Sequence, residues 1–471
     1  MMKWMLFGPE LFFLASAVAF LCLSMTRRQG RIDFAALLVA AAGIGVTLAG
    51  ARSEGTLVMG TYRFDLYSQV FKTLLAMGLF LVVCLCPGNN GIARRRKPEF
   101  YTLLFTCTLA MMLLVSSAHL LTLFVSLELS SYSLYILVAL REDRRMGVEA
   151  SLKYFLTGIT ASAVMLFGLA MLYGATKAAF LQQMIRVLPT VMTDPIAVIG
   201  LLLTLCGFFF KLAVFPFHFW APDVYQGAAN PVAAYIATAS KVAAMAIMVR
   251  IVALSGDSSP YLAQVLVALS IVSMTVGNLS AIVQKDLKRL LAYSSIAHAG
   301  YVLIGILSMN ETGYAAVMFY ALAVLVMKFT CFLVVVKVAD DGGNLDIDQL
   351  AGLHRRSPVL AMALMMSVFG LAGIPPTIGF TGKLLLFTAA MEKGYLTLIL
   401  IAMANVVVSL YYYLLVVKAA YLTEPATPQD RLSISLPERI LAGGMVAFMV
   451  AAGIYPTWLI DLSRAAVRAM G

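Results

Sequence analysis

The sequence predicts an all-α polytopic membrane protein of about 14 transmembrane helices built around an inverted repeat. Three observations predict it. Of 471 residues, 62% are hydrophobic and only 12% are charged, where a soluble chain would carry roughly a quarter charged. Apolar runs of about 20 residues, long enough at about 1.5 Å per residue to cross a bilayer, recur along the chain. Two interrupted runs, GFFFKL at 207–212 and GFTGKL at 379–384, each hold a lysine beside prolines.

Taken in order, the spans centre near Phe12, Ala41, Met77, Met111, Leu134, Leu166, Leu205, Ala244, Leu269, Gly300, Val324, Val368, Val406 and Val446. The first lacks an A-x-A-like cleavage site and is too long for a signal h-region, so it is expected to be retained. The longest charged insert, Asp340 to Arg356, joins the eleventh span to the twelfth. Basic residues follow the odd-numbered spans: Arg27, Arg28 and Arg31, then Arg94, Arg95, Arg96 and Lys97, then Arg141, Arg144 and Arg145. Lys285, Lys288 and Arg289, then Arg355 and Arg356, continue the pattern, while the opposite loops hold only scattered residues such as Arg52, Lys177 and Lys393. Basic residues mark cytoplasmic loops, which places both termini on the other side. The same bias accounts for the net charge of +11 without nucleic acid, since no basic patch interleaved with aromatics lies outside the apolar runs.

Lys211 falls in the seventh span and Lys383 in the twelfth, so the two lysine motifs cross the bilayer in opposite directions. This is the signature of an inverted repeat whose broken helices put polar sites near mid-membrane. Pro216 and the pair Pro375–Pro376 supply the breaks, because proline removes a backbone donor and kinks a helix. The echo makes Lys383 the expected inverted counterpart of Lys211.

A charged group at the bilayer centre costs roughly 2.5–3.5 kcal/mol on insertion scales, so several of them need a shared reason. Lys211, Lys241, Lys328 and Lys383 have no route to either surface. Glu128, in LFVSLELSSYSLYIL, reads as a carboxylate at the interface or a functional one. His298, in SSIAHAGYVL, reads as a hydrogen-bonded core residue or a proton relay, and His218 stands just beyond the first break. Burial draws a lysine's pKa from about 10.4 towards neutrality and a nearby carboxylate pushes it back, so such pairs can store and release a proton. A scaffold of buried charges that only fixes packing is the bland alternative.

The six cysteines include no C-x-x-C, and Cys84-Leu-Cys86 reads as lipid-facing filler. Zinc and iron–sulfur sites need clustered thiolates, so neither is expected. There is no P-loop and no G-x-G-x-x-G after a strand, so the energy for transport must come from outside the chain.

ASLKYFLTG (150–158), FKLAVFPFHFWAPDVYQGAANPVAAY (210–235), AYSSIAHAGY (292–301), LAGIPPTIGFTGK (371–383) and SLYYYL (409–414) together resemble the subunit N type of respiratory complex I, NADH:quinone oxidoreductase. That type is the smallest of its three antiporter-like membrane subunits, and the resemblance runs from about Pro9 to the C-terminal GIYPTWL. It implies two inverted five-helix repeats, spans four to eight and nine to thirteen. The expected organisation is therefore 1–98, an N-terminal three-helix segment; 99–256 and 257–424, the repeats; and 425–471, a C-terminal span.

By that resemblance Glu128 modulates Lys211, Lys241 relays inward, Lys383 exchanges with the opposite side and His298 is the central link. Lys328 departs from the family's asparagine-containing stretch and would extend the relay or pair locally. Gln226 and Asn230 also depart from the family pattern and are expected in a loop off the proton path. The resemblance implies a proton-translocating membrane subunit in the cell (inner or plasma) membrane, without a cofactor of its own. NAD, FMN, iron–sulfur clusters and quinone would belong to partner subunits of the membrane and peripheral arms. A multi-subunit sodium/proton antiporter is the alternative.

Overall fold

The computed structural model describes residues 6–26, 31–88, 91–256, 260–339, 341–425 and 430–470. Arg27, Arg28 and Asp340, used above to read the loops, lie outside the described residues. The chain is almost wholly helical, because in lipid each backbone N–H and C=O must find its partner within the segment. The helices are α1 (Gly8–Ser24), α2 (Ile32–Gly50), α3 (Leu66–Cys84), α4 (Lys97–Ser116), α5 (Leu120–Ala139), α6 (Arg144–Thr176) and α7 (Leu181–Val191). There follow α8 (Pro195–Leu212), α9 (Trp220–Gly227), α10 (Asn230–Tyr235) and, after a π-helical turn at Ile236–Ser240, α11 (Lys241–Ala253). The second half holds α12 (Pro260–Ile282), α13 (Leu287–Leu307), α14 (Glu311–Val338), α15 (Leu353–Arg356), α16 (Pro358–Ala372), α17 (Ile378–Glu392), α18 (Leu396–Leu422), α19 (Leu436–Ile454) and α20 (Thr457–Met470).

Among the described residues, 12 helices are long and apolar enough to cross a membrane, and α1 and α16 are shorter apolar helices. The chain is a multi-pass membrane protein. Alternate loops gather on two faces. On one, a hairpin of β1 (Gly55–Leu57) and β2 (Tyr62–Phe64) bridges to Ser117, and His119 bridges to Phe180. Arg63 of the hairpin donates to the carbonyls of Ala469 and Met470 there, at 3.1 and 3.0 Å. On the other face Ile92 bridges to Arg141 and Asp286 to Asp346. The amphipathic helices α7 and α20 lie on the hairpin face, and α20 adds a helix to the region read from sequence as one C-terminal span.

α11, α13 and α14 form the middle of the bundle, and the apolar windows of α10–α11 and α14 are wholly buried. A helix apolar on every side belongs in such a core, and these three carry Lys241, His298 and Lys328.

The two breaks are built alike. α8 ends at Ala213, which adopts a left-handed φ of 62°, and α16 ends at Gly373, with φ 89°. Val214 N–H reaches back to Phe209 O at 2.8 Å just as Ile374 N–H reaches Phe369 O at 2.9 Å. Cis prolines follow, at Phe215–Pro216 and Pro375–Pro376. Matching the breaks residue for residue corrects the lysine echo. Lys211 lies in the last turn before its break and Lys383 lies in the helix after its own, so they are not structural counterparts. Leu371 occupies the position of Lys211, and Asp223 that of Lys383.

Two smaller expectations also change. Cys86 is buried, with its thiol on Val82 O and its carbonyl accepting from Lys97 at 3.1 Å, so it is no lipid-facing filler. Asn230 opens α10 fully buried and accepts from Lys288 through Oδ1 at 2.9 Å.

Candidate functional site

Every intramembrane lysine expected from sequence is buried and hydrogen-bonded, as a charge in a bundle interior must be. Lys211, at the end of α8, donates to the Ser130 hydroxyl and to Ser131 Oγ at 3.3 Å, both on α5. Lys241 follows the π-helical turn and donates to Leu212 O at 2.6 Å, the last carbonyl of α8. Lys383 donates to Leu371 O and Ala372 O at 2.8 and 2.9 Å, the last carbonyls of α16, and lies 4.7 Å from the Tyr301 ring centre. The matched breaks make Leu212 and Ala372 equivalent, so each break is capped by one buried ammonium. A helix C-terminus leaves its last carbonyls without intrahelical donors and carries partial negative charge that favours a cation.

Between the caps lies a polar chain. Lys328 donates to Leu291 O at 2.8 Å and to Ser294 Oγ at 2.6 Å. Ser294 Oγ lies 2.5 Å from Tyr413 Oη, which lies 3.4 Å from His298 Nε2. His298 Nδ1 is 2.5 Å from Tyr320 Oη.

Glu128 is half-buried midway along α5 and accepts from Ser162 of α6 at 2.5 Å. No ion pair joins it to Lys211 among the described residues, Lys211 donating to the α5 serines instead. His218 is buried beside the first break, stacked on Phe215, with its Nδ1 unpartnered among the described residues.

The sequence reading missed several further buried charged sites. Glu10 of α1 and Lys72 of α3 pair at 2.6 Å with both side chains fully buried, and Lys72 lies 4.1 Å from the Phe64 ring centre. Lys72 interrupts VFKTLLAM as Lys211 interrupts its own run, so the same signal was present. Asp65 caps α3 and takes Arg250 at 2.9 and 3.0 Å. Lys288 was counted with the loop cations yet is buried, donating to Ala228 O at 3.0 Å. Arg141 caps the same turn through Gln226 O at 2.6 Å. Outside the spans, burial raises the Asp286 carboxyl above the usual carboxylate range, although it caps α13 through Arg289 N–H. No group of three or more potential metal ligands occurs among the described residues.

The NADH:quinone oxidoreductase/Mrp antiporter transmembrane family matches residues 117–409, which hold both breaks and Lys211, Lys241, Lys288, Lys328 and Lys383. The chain belongs to that family. Within it, the protein named NADH-quinone oxidoreductase subunit N 2 from Syntrophobacter fumaroxidans is 63% identical over the whole of both chains. A chain of respiratory complex I from Thermus thermophilus superposes with a TM-score of 0.84 at 34% identity, covering 96% of this chain and 98% of that one. A chain of the Mrp complex from Dietzia gives 0.87 at 21% identity over 98% and 96%, a likeness of fold alone. The chain is thus of the subunit N type.

Proposed function

We propose that this chain is a proton-translocating membrane subunit of an NADH:quinone oxidoreductase, driven by redox chemistry in partner subunits. The observation that carries the reading is the row of buried ammoniums, hydroxyls and one imidazole between two capped helix breaks. Such groups inside a membrane bundle mark an ion pathway by default. Lys211 takes up a proton beside Ser130 and Ser131, with Glu128 setting how strongly it is held. Lys241, Lys328 and His298 pass the charge across the core, and Lys383 exchanges it with the opposite side. His218, buried at the first break, is a further relay group. NAD, FMN, iron–sulfur clusters and quinone belong to the partner subunits of the membrane and peripheral arms.

The bias of basic residues in the loops supports a reading with the Ile92–Arg141 face in the cytoplasm and both termini on the other side of the cell inner (plasma) membrane. The fold is shared with an Mrp complex, but the closer sequence kinship lies with complex I, so the redox-driven reading is preferred to a gradient-driven exchanger. The test is Lys211→Ala in the assembled complex, with proton pumping measured in inverted vesicles. Pumping should be abolished or reduced while the complex survives, and wild-type stoichiometry would remove Lys211 from the pathway. Mass spectrometry of the purified assembly should find flavin and iron–sulfur subunits in stoichiometric amount.

A further inference from the structure

We propose that Tyr413 of α18 carries the proton between Lys328 and His298. The inference rests on the proposed function and deepens it.

The geometry is particular. Ser294 and His298 lie one turn apart on α13, where i and i+4 side chains share a face. They make no bond to each other. The Tyr413 hydroxyl, delivered from α18, is the only group among the described residues that bonds both, at 2.5 Å to Ser294 Oγ and 3.4 Å to His298 Nε2. Lys328 enters at one end through Ser294 at 2.6 Å, and Tyr320 closes the other end on His298 Nδ1 at 2.5 Å. Lys328, Ser294, Tyr413 and Tyr320 are fully buried and His298 is 3% exposed, so no bulk water competes for the chain. A phenol and a serine hydroxyl each donate and accept, as a relay requires, whereas a lysine ammonium only donates.

The step balances. The Lys328 ammonium gives one proton to Ser294 Oγ as Ser294 gives its own to Tyr413 Oη. Tyr413 in turn gives its proton to the free electron pair on His298 Nε2. Lys328 ends neutral, His298 ends as imidazolium donating from Nδ1 to Tyr320, and both hydroxyls are intact with their O–H bonds reversed. Rotation of the two hydroxyls resets the chain. No oxidant or co-reactant takes part.

Tyr412 provides an internal control, because its hydroxyl donates to Asn278 Oδ1 at 3.0 Å and does not bond His298. The experiment compares Tyr413→Phe, Tyr412→Phe and Ser294→Ala in the whole complex, reading protons pumped per electron pair together with quinone reduction. Loss of a positioned proton carrier costs roughly 10²–10⁴-fold in transfer rate. Tyr413→Phe and Ser294→Ala should therefore both lower coupled transport through this chain by about 10²-fold or more, while Tyr412→Phe pumps as wild type. Wild-type pumping in Tyr413→Phe overturns the proposal, and so does an equal loss in Tyr412→Phe, which would make the effect one of packing. If Tyr413→Phe fails to assemble, Ser294→Ala cuts the adjacent link and decides alone. Should Lys211→Ala also pump normally, the proposed function itself fails; should it lose pumping while the Tyr413 and Ser294 variants keep it, only the relay through Tyr413 fails.

Discussion

Lys383 caps α16 and, on the proposed pathway, also carries a proton, and one pair of substitutions separates the two. Its ammonium donates to Leu371 O and Ala372 O at 2.8 and 2.9 Å while 4% exposed. Hydrogen bonds from a charged group contribute roughly 1.5–3 kcal/mol each, so the pair is worth about 3–6 kcal/mol gross. Against this stands the cost of holding an ammonium out of water, several kcal/mol in real proteins. Lys383→Met removes both, leaving two carbonyls without donors at about 1–3 kcal/mol each. The expected net loss is on the order of 2 kcal/mol. Lys383→Gln keeps an N–H pair that can reach one carbonyl, though its side chain is one bond shorter, and it cannot carry a proton near neutral pH. The assay is heat treatment of the detergent-solubilised complex followed by size-exclusion chromatography, alongside pumping in vesicles. Glutamine should recover much of the stability lost with methionine and none of the pumping. Recovery of pumping by glutamine would show that Lys383 acts as a cap alone.

Two further predictions concern packing. Glu10→Ala or Lys72→Met alone leaves one fully buried charge unpaired and should destabilise by about 3–5 kcal/mol, whereas the double variant Glu10→Leu/Lys72→Met should lie near wild type; a thermal-denaturation cycle on the purified complex reads the difference, and additive losses would refute a pairing role. At Gly379 an added Cβ would meet the backbone oxygen of Gly370 at 1.9 Å across the second break. Gly379→Ala should therefore cost at least about 1–3 kcal/mol, seen as reduced incorporation of the subunit into membranes, and normal incorporation would mean that α16 and α17 can separate freely.

Much of this was legible because lipid punishes polar groups so heavily that each one left in an apolar run carries information. Lys211, Lys241, Lys328 and Lys383 stood out on that ground alone, and the prolines located both breaks. The misreadings share a physical cause: a one-dimensional pattern does not say which neighbour a side chain faces. Lys288 and Lys97 looked like loop cations because they sit at helix starts, yet folding turns them inward onto Ala228 O and Cys86 O. Glu10, beside Pro9 at the start of a span, went unremarked because nothing in the local pattern shows that α3 brings Lys72 against it. The Tyr413 hydroxyl could not be singled out within Y-Y-Y, since only the rotation of α18 decides which phenol meets α13. The lysine echo misled because matching letters aligned Lys211 with Lys383, while the backbone aligns the left-handed residues Ala213 and Gly373.

The two halves of the fold hold their charges differently. In the first half the break is capped by Lys241, while Lys211 sits apart on serine hydroxyls. Lys211 can therefore gain or lose a proton without touching the bonds that hold its helix end. In the second half Lys383 is itself the cap. Charge-assisted hydrogen bonds are roughly twice as strong as neutral ones, so removing a proton from Lys383 weakens both bonds at the end of α16 in the same event. By linkage, anything that loosens the α16 terminus must also favour release of that proton. The backbone symmetry of the fold thus carries an asymmetric assignment of charge. On the proposed pathway, proton loading in the first half would leave its break undisturbed, and proton release in the second would be tied to movement of its break.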